Sequence, residues 1–132
     1  MRVSNAGGVA VGEKGIGCGG SSDTDLRAMP DEVRQTFGYA LALEQNGLRY
    51  DDGKTLAGFK PAVVEVLEDD DGDTFRAVYT AHYADAVYVL HCFKKKSTSG
   101  RNLPKRDRET IEARLSDVKR VEAAKAQTEK RY

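Results

Sequence analysis

"TFRAVYTAHYADAVYVLHCFKKKS", residues 74–97, decides how the rest of the chain is read. From Thr74 to His82 the residues alternate. Phe75, Ala77, Tyr79 and Ala81 fall on one face of a strand, and Arg76, Val78, Thr80 and His82 on the other. A tight "YAD" connection (83–85) leads to "AVYVLHCF" (86–93), a nearly unbroken apolar run, as expected of a central strand covered on both faces. Strict alternation would put Val87, Val89, His91 and Phe93 on one side and Tyr88, Leu90 and Cys92 on the other. The run ends in Lys94, Lys95 and Lys96 rather than in turn residues.

Upstream, "AVVEVLED" (62–69) is rich in β-branched residues and reads as a third strand, joined to the second through "DDGD" (70–73), an Asp-Gly turn signal. Further back, Ser22 or Asp23 can cap a short helix holding Leu26 and Met29. Pro30 opens the next helix, with Asp31 and Glu32 in its first turn. Val33, Phe37, Ala40 and Leu41 share one face of that helix, and Gly47 is its stop. Residues 48–61 read as a loop carrying Lys54 and Lys60. Downstream, the polar stretch 94–106 precedes a helix over 107–127 with Ile111, Leu115, Val118 and Val121 on one stripe. This order predicts an α+β fold: N-terminal helices, an antiparallel sheet of three to four strands, and a C-terminal helix, with the helices packed on one face.

A chain of 132 residues suffices for one modest core. The first 20 residues hold seven of the 13 glycines and no aromatic, so 1–19 is expected to stay without order and 20–132 to form a single domain. "GEKGIGCG" (12–19) lacks the lysine-serine/threonine ending of a phosphate loop. No apolar run approaches the roughly 20 residues that a membrane span needs, and no charged start precedes an apolar stretch. Neither a membrane nor a secretory signal is therefore expected. Two cysteines far apart, Cys18 and Cys92, make no disulfide framework, which suits a cytoplasmic location. The net charge of zero hides a division. Residues 1–93 carry 8 Lys/Arg against 15 Asp/Glu, a balance of −7, and residues 94–132 carry 13 against 6, a balance of +7. A polyanion would meet the C-terminal third.

"DLRAMPDEVR", "FRAVYTAHYADAVYVLHCFKKKS" and "PKRDRETIEARL" together resemble the phage-derived-protein branch of the RelE/HigB toxin superfamily, over roughly residues 20–120 and in the family's order. The resemblance implies a small RelE-like domain and the toxin of a type II toxin–antitoxin system. Such toxins are ribosome-dependent mRNA interferases, held in a hetero-oligomer by a helix-turn-helix antitoxin. The implied partners are that antitoxin, the ribosome and mRNA. The family's first strand would fall on "EKGIGCG", where Ile16 and Cys18 are the only larger apolar residues. A strand position that often holds Arg in the family is Leu67 here.

Metal-free RNA cleavage by attack of the 2′-hydroxyl needs a base, an acid and cations for the phosphorane charge. Arg76 lies mid-strand among apolar neighbours. The resemblance makes it the arginine at the scissile phosphate; the plain alternative is an ion pair with Glu65 or Asp85. His91 suits acid–base work near neutral pH, or is a buried histidine satisfied by a carbonyl. Lys95 falls near a basic catalytic position of the family. Lys94, Lys96, Arg101 and Lys105 form the basic stretch that would hold RNA backbone, against the ordinary reading of a solvated charge run. Lys54 and Lys60 match mRNA-contacting loop lysines of relatives. Tyr79 and Tyr88 are core residues before they are base-stacking ones. Cys18, His82, His91 and Cys92 lack paired ligand spacing, so neither a metal nor another cofactor is expected. The rival reading is a catalytically silent module of the same fold, acting in antitoxin and operator repression complexes or in RNA binding.

Overall fold

The computed structural model describes residues 2–4, 14–95 and 103–130. Its elements run β1 (Arg2–Ser4), β2 (Gly15–Cys18), α1 (Ser22–Arg27), α2 (Asp31–Gln45), β3 (Lys54–Leu56), β4 (Val63–Asp70), β5 (Asp73–Thr80), β6 (Ala86–Lys95) and α3 (Lys105–Lys130). The fold is α+β. One sheet takes the order β1-β2-β6-β5-β4-β3. The three strands expected from sequence are β4, β5 and β6, and they pair antiparallel with one another.

Short strands widen this meander on both sides. β2 pairs parallel with β6, which makes the sheet mixed, and β1 pairs antiparallel with β2. Gly15–Cys18 thus holds a strand inside the segment whose glycine content argued against order. Backbone pairing supplies what composition did not: the amide of Gly15 donates to the carbonyl of Asp85 and that of Gly19 to Val89. At the other edge, β3 falls within the expected loop and pairs with β4 only as far as Glu65.

Local chemistry sets the turns. Asp71 and Gly72 both have positive φ, at 50° and 83°, as the two-residue hairpin between Asp70 and Asp73 requires. At the end of α2, Gly47 has φ 76°; its amide donates to Glu44 and that of Leu48 to Leu43, the paired bonds of a Schellman cap.

The helices lie on both faces of the sheet, not on one. Val33, Phe37 and Leu41 of α2 pack with Val66, Ala77, Tyr79, Val87 and Val89. On the opposite face Ile111, Leu115 and Val118 of α3 pack with Val63, Val78, Tyr88 and Leu90. Because β5 and β6 are buried on both sides, a single layer of helices could not cover them. The far half of α3 is tied down by Lys125, which donates to Asp85, Tyr88 and Glu122.

Strict alternation fails at one place in β6. Val78 pairs with His91 but Tyr79 pairs with Val89, so Leu90 is an extra residue, a β-bulge. Beyond it the faces exchange. Cys92 joins Val87 and Val89 on the α2 side, whereas His91 and Phe93 turn to the α3 side with Tyr88 and Leu90. That exchange puts His91 and Phe93 on the same face as Arg76.

Candidate functional site

One cross-strand row organises the site. Leu67 of β4, Arg76 of β5 and Phe93 of β6 are direct neighbours across three strands. The Arg76 guanidinium carbon lies 5.8 Å from the centroid of the Phe93 ring. In the adjacent row Glu65 sits opposite Val78, and beyond Glu65 lies Lys54 of β3. Lys54, Glu65, Leu67, Arg76 and Lys95 line a cleft of about 320 Å³. Three cations therefore converge around one carboxylate.

Arg76 is only 1% exposed and Glu65 4%. A guanidinium nitrogen of Arg76 stands 3.0 Å from Glu65 Oε2. The contact is electrostatic rather than a well-aligned hydrogen bond, because Glu65 Oε2 and Arg76 Nε are buried without a hydrogen-bond partner among the described residues. Buried polar atoms are nearly always satisfied, so each exception demands a reason. Burial pushes the Glu65 carboxyl above its ordinary pKa; Arg76, and less strongly Lys54 and Lys95, pull the other way. A cleft with a neutralisable carboxyl beside a fixed cation can both bind an oxyanion and exchange a proton.

His91 belongs to a different cluster on the same face. Its Nε2 lies 2.8 Å from Asp107 Oδ1, and its Nδ1 lies 3.3 Å from an Arg114 guanidinium nitrogen. Arginine only donates, so Nδ1 accepts, and Nε2 carries the proton it donates to Asp107. Arg114 also donates to the carbonyl of Leu90 and to Ser21 Oγ, lying against Gly20, where a Cβ would stand 2.5 Å from its Nε. Burial first, and Arg114 after it, hold the His91 pKa below its ordinary value, against the opposing pull of Asp107. The ring stacks on Phe93 with centroids 4.4 Å apart.

Of the other residues singled out in the sequence, Lys54 and Lys95 join Arg76 at the cleft. Lys94 points away and pairs with Asp73 at 3.0 Å. Lys60 is exposed at the start of a cis peptide to Pro61, and Lys105 is exposed on the first turn of α3. Lys96 and Arg101 lie outside the described residues. Tyr79 and Tyr88 are buried, with hydroxyls donated to Glu44 and Glu122; burial, reinforced by Glu122, pushes the Tyr88 phenol up to about 12. Sequence reasoning gave Glu65 only the role of Arg76's counter-ion and gave Leu67 and Arg114 none. The signal for Glu65 was a carboxylate at alternation with Val63, set among the apolar residues of the first half of β4. Among the described residues no three His, Cys, Asp or Glu side chains gather as a metal site, and no helix is long and apolar enough to cross a membrane.

Residues 24–116 match the family described as phage-derived protein Gp49-like (DUF891). The match covers most of α1, all of α2, β3 to β6 and the first half of α3, so the chain belongs to this family. No curated protein and no solved structure matches the chain.

Proposed function

We propose that this chain is the toxin of a type II toxin–antitoxin pair and cleaves mRNA on the ribosome by attack of a 2′-hydroxyl on the adjacent phosphate. The observation that carries the proposal is Arg76: a buried guanidinium with an unpartnered Nε at a cleft shared with Lys54 and Lys95. Membership in a phage-derived family supports it. Arg76 binds the scissile phosphate and stabilises the phosphorane, and Lys54 and Lys95 share the added charge. Glu65 accepts the proton of the 2′-hydroxyl, its buried carboxyl being matched to that exchange more closely than an exposed one. Lys95 returns a proton to the departing 5′-oxygen. The products are a 2′,3′-cyclic phosphate and a 5′-hydroxyl end. His91, with both nitrogens engaged, positions Phe93 and the first turns of α3 and leaves the proton transfers to Glu65 and Lys95. The ribosome orients the strand, and a helix-turn-helix antitoxin neutralises the toxin in the cytoplasm.

The 3.0 Å contact of Glu65 with Arg76 favours one rival. If the pair stays closed, the chain binds RNA, or joins repression complexes with its antitoxin, and cuts nothing. Induced expression with and without the neighbouring antitoxin gene, followed by mapping of mRNA ends, separates the two. Growth arrest with cuts in the ribosomal A site supports the toxin. A salt-sensitive RNA complex without any cut supports the silent module.

A further inference from the structure

The phosphodiester reading leaves one residue of the cleft without a role. Leu67 is 46% exposed, although its four companions are Lys54, Glu65, Arg76 and Lys95. Its direction follows from the strand: Val66 is buried in the α2-side core, so Glu65 and Leu67 face the other way. Its exposure follows from where its neighbours end. β3 pairs no further along β4 than Glu65, and the buried stripe of α3 rests on Val63, Val78, Tyr88 and Leu90.

A lone exposed leucine is ordinary on a protein surface. This one is the direct cross-strand neighbour of a buried arginine, whose other neighbour is Phe93. The row therefore reads apolar, cationic, aromatic. Inorganic phosphate would use the cations and gain nothing from Leu67. A phosphate bearing a nucleoside brings an apolar sugar and base face at the distance of one side chain. The geometry points to Leu67 as a specificity-determining residue, which packs against the ribose or base of the nucleotide whose phosphate Arg76 holds. The inference rests on the phosphodiester reading of the cleft and adds the discrimination between an organic phosphodiester and a bare anion.

The test uses the full chain, labelled with ¹⁵N, and reads the Arg76 Nε–H resonance. Two probes are titrated: inorganic phosphate, and a dinucleoside monophosphate lacking the 2′-hydroxyl so that it cannot be cleaved. Both shift the resonance of the wild-type chain, and the dinucleoside monophosphate binds at least about five-fold more tightly, the gain from covering half a leucine. Leu67→Ser removes that preference and leaves phosphate affinity unchanged, and Leu67→Met retains it. Equal affinity of the two probes for the wild type, or a preference that survives Leu67→Ser, overturns the role of Leu67 and leaves the anion site standing. If neither probe moves the Arg76 resonance, the anion site falls and the inference with it.

Discussion

The Arg76 cleft and the His91 cluster share one face of the sheet and differ in one respect. At His91 each ring nitrogen has a partner, and Arg114 is divided among a histidine, a carbonyl and a serine. At Arg76 a guanidinium nitrogen and a carboxylate oxygen are buried with no hydrogen bond among the described residues. A satisfied buried network rigidifies what it joins, and an unsatisfied one carries a cost that a ligand can relieve. The first cluster ties β6, α3 and the loop before α1 together. The second is where an anion would be welcome. From sequence His91 was the more attractive proton carrier; both of its ring nitrogens have partners, and the proposed mechanism therefore gives the proton exchange to Glu65.

The largest expected effect breaks the cleft. Arg76→Ala abolishes mRNA cleavage, by a factor of about 10³ or more, measured as cut ends per folded toxin. It also costs about 3–5 kcal/mol of stability in urea unfolding, because Glu65 is left as an unpaired buried charge. Glu65→Gln lowers the cleavage rate by about 10²–10⁴ while single-stranded RNA still binds. The wild-type rate falls in acid as Glu65 takes up its proton. Since its pKa is raised, the midpoint of that fall lies above the ordinary 4.5. An acid limb at or below 4.5 removes Glu65 from the mechanism.

The His91 cluster gives the contrasting outcome. Arg114→Ala costs about 2 kcal/mol in stability, read by thermal or urea unfolding, with cleavage per folded molecule changed far less than by Arg76→Ala. The pH dependence has a definite sign. A His91 pKa below its ordinary 6.5 means that the unfolded chain takes up the proton first. The stabilisation is complete above 6.5 and is lost as pH falls from there through the folded-state value. His91→Gln removes that part of the pH dependence. The smallest effects fall on single lysines. Lys54→Ala or Lys95→Ala lowers the slope of RNA affinity against salt by about one unit. Lys94→Ala changes it by much less, because Lys94 is turned to Asp73 on a largely exposed surface.

Much of the fold was legible because its signals are local. The Asp71-Gly72 turn, the Gly47 cap and the stripes of α2 and α3 each depend on a few neighbouring residues. β2 was not legible from composition, only from the resemblance, since "GIGC" has just Ile16 and Cys18 to set against the core and depends on backbone pairing along β6. The bulge at Leu90 left no mark in an apolar run where either face would accept each residue. It nonetheless decided the site, turning His91 and Phe93 towards α3. Arg76, Lys54 and Lys95 could be picked out as cations in suspicious places. The parts played by Glu65, Leu67 and Arg114 depend on which strand lies beside which and on how far β3 reaches.

Mapping of mRNA ends after induction, for the wild type, Arg76→Ala and His91→Gln with folded protein quantified in each, tests the contrast most directly. The account predicts cuts in the ribosomal A site for the wild type and for His91→Gln in proportion to folded protein, and none for Arg76→Ala. Cuts that persist in folded Arg76→Ala, or vanish in well-folded His91→Gln, would contradict it.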